Sequence, residues 1–356
     1  MTTTQLLPAA RRPPRVLHNR SGRLAIRMDT RSCVVALGLL VAIVIVSAIT
    51  LTTGDYHIPL LDVVRTIVGG GTATQHFIIE TLRLPRLLTG LLVGAALGVG
   101  GAIFQSVSRN PLGSPDIVGF NTGSATGALL VILVWHGSMS QIAAGAVVGG
   151  VGTALVVYVL AIKRGVQGYR LILIGIGIAA MLSSVNSYLL TRADVTDAQA
   201  AAVWLTGSLN GRGWEQVRPI TLALVVLLPA AAWLARNLRM LELGDDTARA
   251  LGVSAERTRV TAVVVGVGLT AVATASAGPI AFIALSAPQV ARRLTRVAGP
   301  NIAVSALTGA ALLAASDLAA QRVFAPTQLP VGVATGAVGG LYLAWLLSRE
   351  WRRGRG

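Results

Sequence analysis

Acidic residues are scarce in this chain: 14 in 356, against 30 basic ones. Charged residues make up 12% of it, where a soluble domain carries about 25%. Cysteine occurs once, as Cys33, and lysine once, as Lys163. Each shortage excludes something. A single cysteine rules out an internal disulfide and a cysteine-cluster metal site. The four histidines (His18, His57, His76, His136) show no pair at ligand spacing, so they read as ordinary loop histidines. A phosphate-binding loop needs Gly-Lys-Ser/Thr. The only lysine is followed by Arg164, so this chain cannot hydrolyse ATP by itself. Acids in apolar stretches are limited to Asp116, at a span start, and Asp317, near a span end. Ion-coupled carriers place ionisable groups well inside the bilayer.

What is present is apolar. Mean hydropathy is +0.69, and runs of membrane-spanning length recur along the chain. In lipid every backbone polar group must be bonded within its own segment, which points to an all-α integral membrane protein. Apolar runs read against turn signals give about ten transmembrane helices. They fall at 34–53, 85–107, 116–135, 140–162, 170–191, 217–235, 260–277, 281–295, 301–319 and 331–348. The eighth is short, and Gly278-Pro279 leaves little loop before it. Residues 1–33 read as a basic, disordered tail, 34–350 as the membrane domain, and 351–356 as a basic end. The first apolar run is too long for a cleavable signal and lacks an A-x-A-like exit.

The net charge of +16 is not a nucleic-acid signature, because the basic residues crowd the tail, certain loops and the C-terminus. With the N-terminus inside and the spans alternating, 23 of 30 basic residues fall inside. That bias predicts cytoplasmic termini. Seven stay outside: Arg65, Arg83, Arg86, Arg192, Arg212, Arg218 and Arg322. Glycines four apart (Gly90/Gly94/Gly98, Gly123/Gly127, Gly145/Gly149, Gly332/Gly336) predict close helix packing. Two G-x-G-x-x-A matches, at Gly175 and Gly266, lie in apolar helical runs and read as packing. The fifth span is the most polar, with Ser183, Ser184, Asn186 and Ser187. Interhelical bonding and path lining are both open readings.

One stretch stands apart. "LELGDDTARALGVSAERTR" (241–259) holds four acids and three arginines between two apolar runs. Gly244 breaks the preceding run, and Asp245 is placed to N-cap a short helix with Asp246 in its first turn. Leu251 and Gly252 close it. A solvated loop helix and a docking surface for a partner both fit.

Four segments carry a family resemblance: "LRLPRLLTGLLVGAALGVGGAIFQSVSRNPLGSPDIVGF" (82–120), "LELGDDTARALGV", "AGPIAFIALSAPQVARRL" (277–294) and "QLPVGVATGAVGG" (328–340). Together they resemble the FecCD family, permease subunits of type II ABC importers for iron–siderophores, haem and vitamin B12. The resemblance spans about 34–350. It implies the fold of the vitamin B12 permease, with a second FecCD-type permease completing a heterodimer around a central path. It also implies two cytoplasmic ATPase subunits carrying ATP and Mg, and an extracytoplasmic binding protein that delivers ferric siderophore. No cofactor is implied on this chain, which would sit in a bacterial inner membrane. The coupling helix maps onto Leu243, Gly244, Asp245, Asp246, Thr247, Arg249, Ala250, Leu251, Gly252 and Val253. Arg83 and Arg86 map onto arginines that meet acids on the binding protein; simple snorkelling to the interface is the alternative. Asn110 and Leu112 map onto a cytoplasmic gate, with Gly168 and Tyr169 where a small polar pair forms its other half. Many relatives carry an arginine four residues after Asp317. Here that position is Gln321, with Arg322 beside it as a third docking arginine.

Overall fold

The computed structural model describes residues 15–18, 25–161, 168–323, 325 and 327–353. Two short strands, β1 (Arg15–His18) and β2 (Ala25–Met28), pair antiparallel within the stretch read from sequence as a disordered tail. Every regular element after them is a helix among the described residues.

Helix α1 (Thr30–Thr52) starts where Asp29 accepts a hydrogen bond from Arg31 N (3.3 Å), four residues before the sequence boundary. Short helices α2 (Leu60–Ile67) and α3 (Ala73–His76) and a π-helical turn, Phe77–Arg83, lead into α4 (Leu84–Ser108). Pro85 follows directly on the π-helical turn of this continuous helix and cannot donate to the preceding turn; the Glu80 carbonyl accepts instead from Trp214 Nε1 (2.9 Å). There follow α5 (Phe120–Leu133), α6 (Met139–Ala161), α7 (Gly168–Arg192) and the short α8 (Val195–Leu205). Next come α9 (Trp214–Glu242), the six-residue α10 (Asp245–Ala250) and α11 (Ala255–Ala277). The chain ends with α12 (Ile283–Thr295), α13 (Ile302–Arg322) and α14 (Val331–Arg353).

Each of the ten expected spans has a helix. Among the described residues, seven are long and apolar enough to cross a membrane, the second running unbroken over Ala73–Ser108. Helices α5 and α12 and the apolar stretch Val331–Trp345 of α14 are shorter. At 1.5 Å per residue, the 13 residues of α12 cover only about 20 Å. The irregular backbone that precedes α5 is tolerated because Ser114, Val118 and Gly119 are buried in protein and its N–H groups find carbonyls close by: Val118, Gly119 and Phe120 donate to Ser114, Asp116 and Pro115 (each 3.2 Å). Asn121 donates to Asp116 and accepts from Thr274 Oγ1 (3.2 Å), tying α5 to α11.

Helix α4 is the axis of the bundle. It is buried along most of its length and packs against α13, α11, α9 and α12. The glycine spacing explains how. A Cβ on Gly94 or Gly98 would run into the carbonyls of Gly309 and Ser305 on α13. Gly123 and Gly127 face Gly149 and Gly145 between α5 and α6 in the same way. Without a hydrophobic drive between helices in lipid, such backbone approach supplies the packing energy. Both G-x-G-x-x-A matches lie inside helices, α7 and α11, with no strand nearby, so the packing reading stands.

Candidate functional site

The bundle has two polar ends. At one, α4, α9 and α12 terminate, α11 begins, and α10 lies between α9 and α11. Gly244, not Asp245, occupies the N-cap position of α10, with φ 114°. Asp245 is the first helical residue, and its carboxylate does something else. Its Oδ1 accepts from Arg259 Nη2 at 2.6 Å and from Arg109 Nη2. Arg109 also donates through Nε to the Leu241 carbonyl (2.9 Å). Partial burial pushes the Asp245 carboxyl up, but the hydrogen bond and charge of Arg259 and the charge of Arg109 outweigh that. The group is held below the ordinary aspartate value.

The far side of α10 faces water. Asp246 and Arg249 pair at 3.1 Å, and the Asp246 side chain is fully exposed. Thr247, Ala250 and Gly252 are exposed, as are Leu243 and Leu251 at the two ends. Val253 is half-buried, and its N–H returns to the Ala248 carbonyl (2.9 Å) across left-handed Gly252. Ala248 is fully buried and seats the helix. Two exposed leucines flanking an exposed charge pair form a compact, water-facing surface.

Arg109, held left-handed at the end of α4, opens the loop that contains Asn110 and Leu112. Asn110 Oδ1 accepts from Leu112 N (2.9 Å), closing a tight turn, and the Leu112 side chain is exposed. Gln289 Nε2 donates to the Pro111 carbonyl (2.8 Å). The loop is therefore fastened to α10 through Arg109 and to α12 through Pro111. Sequence reasoning missed Gln105, Gln289, Glu242 and Arg292, which surround this loop. Gln105 donates to the Leu285 carbonyl (3.0 Å) and accepts from Arg292, while Ser106 donates to Glu242 (2.7 Å). Glutamines within apolar helical runs were the available signal. Gly168 and Tyr169 lie in the first turn of α7; residues 162–167 before them fall outside the described residues.

On α7, Ser183, Ser184 and Ser187 are exposed, and Ser184 and Ser187 bond back to their own helix at Ala180 and Ser183. Asn186 is buried, and its Oδ1 has no partner among the described residues. The serines thus form an open polar face and make no interhelical bond among the described residues.

At the opposite end, Arg86 grips Asp317 through two bonds, Nε–Oδ2 at 3.0 Å and Nη2–Oδ1 at 2.8 Å, and Nη1 reaches Gln328 at 3.0 Å. Gln321 adds a bond to Asp317 (2.7 Å). Arg83 donates to the carbonyls of Leu51 (2.6 Å) and Tyr56. Arg86 therefore has partners inside its own chain, whereas Arg322 is exposed.

A bundle of membrane-length helices, with a short exposed helix between α9 and α11 and a loop fastened to that helix, fits a membrane permease, and the family and the relatives it resembles give the class: the permease subunit of an ATP-driven importer. Residues 39–349 match the FecCD transport family, and the chain belongs to that family. It is 46% identical over 328 residues to the ferric enterobactin transport system permease protein FepG of Escherichia coli K12, covering 92% of this chain and 99% of that protein. It is 38% identical over 319 residues to the iron(3+)-hydroxamate import system permease protein FhuG of Bacillus subtilis 168, covering 86% and 94%. Among solved structures, an inward-facing conformation of a metal-chelate type ABC transporter superposes with a TM-score of 0.78 at 26% identity, covering 89% of this chain and 99% of that one. The chain is thus a transporter subunit and not an enzyme, and ATP hydrolysis belongs to a separate subunit.

Proposed function

We propose that this permease moves a ferric siderophore of the catecholate type, such as ferric enterobactin, across the inner membrane. The observation that carries this reading is the 46% identity to FepG over nearly the whole of both chains. The chemistry agrees with it. A ferric catecholate is an anion, and the exposed polar face of α7 offers the neutral groups of Ser183, Ser184 and Ser187 and no acid. Those residues, with Asn186, line the path.

A second, different FecCD-type permease (FepD-like) completes the pore, two ATPase subunits carry ATP and Mg, and a siderophore-binding protein delivers the cargo. Both termini are cytoplasmic, as the basic-residue bias favours. Helix α10, from Leu243 to Val253, receives the ATPase. Asn110 and Leu112, with Gly168 and Tyr169, form the inner gate. Arg83, Arg86 and Arg322 form the docking face for the binding protein: Arg322 supplies the open charge, and Arg86, anchored on Asp317, holds the surface in shape.

The test is uptake of radio-iron by cells expressing this chain with its companion permease, ATPase and binding protein. Ferric enterobactin should be taken up in preference to ferric hydroxamates, haem and vitamin B12. Preferential uptake of haem or B12 would overturn the cargo assignment and leave the permease assignment intact.

A further inference from the structure

Arg212 has no role in the transport reading, and its setting is unusual. It lies in the turn between α8 and α9 with only 7% of its surface exposed. Its Nε donates to the Ser208 carbonyl (3.2 Å). Among the described residues no carboxylate lies within ion-pair distance of it. A buried cation without a counterion is costly, and an anion arriving from outside would offset that cost.

The same arginine lines a cavity of about 300 Å³. The walls are Ala143 and Val147 of α6 and Pro219 and Ala223 of α9, and Val272 and Ala275 of α11 form the floor. Helices α6 and α9 both pack on α11, which leaves a groove between them. Beside the cavity, the exposed faces of both helices are apolar: Val148, Val151 and Leu155 on α6, and Leu222, Val225 and Val226 on α9. The groove therefore opens toward hydrocarbon. Exposed Trp214 and Met139 stand at its polar end, the level at which aromatic side chains meet the headgroups. Glu215, Gln216 and Ser140 share the polar rim with Arg212.

We propose that this groove holds one anionic phospholipid, with its phosphodiester on Arg212 and one acyl chain lying between α6 and α9 against α11. The single negative charge of a phosphodiester matches the single unpaired guanidinium. Glu215 on the rim disfavours a more highly charged anion and accepts a hydrogen bond from a hydroxyl-bearing headgroup, so phosphatidylglycerol fits better than a phosphomonoester. The inference does not depend on the cargo or on ATP coupling, because lipid retention is read without transport.

Native mass spectrometry of the full chain in detergent, titrated with phosphatidylglycerol and with diacylglycerol of the same acyl chains, which lacks the phosphodiester, tests it. The wild type should retain phosphatidylglycerol about tenfold better, in keeping with a charge-assisted bond. Arg212→Gln should erase the preference while binding both lipids weakly. Ala223→Trp, which keeps Arg212 and fills the groove, should lower retention of both, and it serves as the test if Arg212→Gln fails to fold. The proposal is overturned if the wild type shows no preference, or if phosphatidylglycerol binds Ala223→Trp as it binds the parent. It is also overturned if inorganic phosphate displaces the lipid at equal concentration, which would make this a site for soluble anions.

Discussion

Asp245 Oδ1 and Arg259 Nη2 stand 2.6 Å apart, and the same oxygen receives Arg109 from the far end of α4. One carboxylate thereby joins α10 to α11 and to the loop of Asn110 and Leu112. Under the proposed function, a push on α10 would reach that loop through Arg109.

Asp245→Asn keeps the shape and removes the charge. Charge-assisted bonds of this kind contribute about 1.5–3 kcal/mol. The variant should assemble with its ATPase and hydrolyse ATP while uptake falls about tenfold or more. Simultaneous measurement of ATP turnover and uptake checks this: a proportional loss of both would mean that Asp245 only supports assembly.

The pH response of this clamp has a definite sign. The Asp245 carboxyl lies below its ordinary value of about 3.9 because two arginines face it. A depressed value means that folding favours the charged form, so the stabilisation is complete above about 3.9 and is lost as pH falls through the lower folded value. Hydrogen exchange at Ala248 and Val253 should be flat from pH 8 to about 5, after correction for intrinsic exchange. Protection should fail only in stronger acid. Loss of protection near neutral pH would contradict the clamp.

Arg86 and Asp317 form a buried pair, with side chains 12% and 5% exposed. Removing one partner strands the other charge, at a cost of about 3–5 kcal/mol. Arg86→Met should therefore lower the unfolding midpoint in detergent sharply, and Arg86→Met with Asp317→Leu should recover most of the loss. Additive losses in the double variant would show that the pair does not act as a unit.

For the docking face, an exposed charge contributes about 0.2–1 kcal/mol. Arg322→Glu should weaken binding-protein association up to about fivefold, with the effect fading at high salt. Surface plasmon resonance at two ionic strengths checks it, and an unchanged affinity at low salt would remove Arg322 from the interface.

How much of this was legible beforehand depended on the kind of signal. All ten helices at the expected spans were readable, seven of them long and apolar enough to cross a membrane, because apolar runs and the Gly94/Gly98 spacing are local properties of the chain. The extent of α10 was readable because Gly244 and Gly252 punctuate it. The role of Asp245 was not: a cap is a local motif, whereas its partners Arg109 and Arg259 arrive 136 and 14 residues away. Asp317 as the partner of Arg86 was hidden for the same reason, being 231 residues distant. The short α12 was visible as a length deficit. The N-terminal extension of the second span to Ala73 was not, because Glu80 and Arg83 interrupt its apolar run.

The central claim is that an external ATPase drives import through α10. The most direct measurement reconstitutes the whole complex in liposomes with ATP inside and ferric enterobactin plus its binding protein outside. Uptake of radio-iron should require ATP and should vanish in the charge-reversed pair Asp246→Lys with Arg249→Glu, whose side chains face water at the proposed ATPase surface. Uptake driven by an ion gradient without ATP, or undiminished uptake in the charge-reversed complex, would contradict the account.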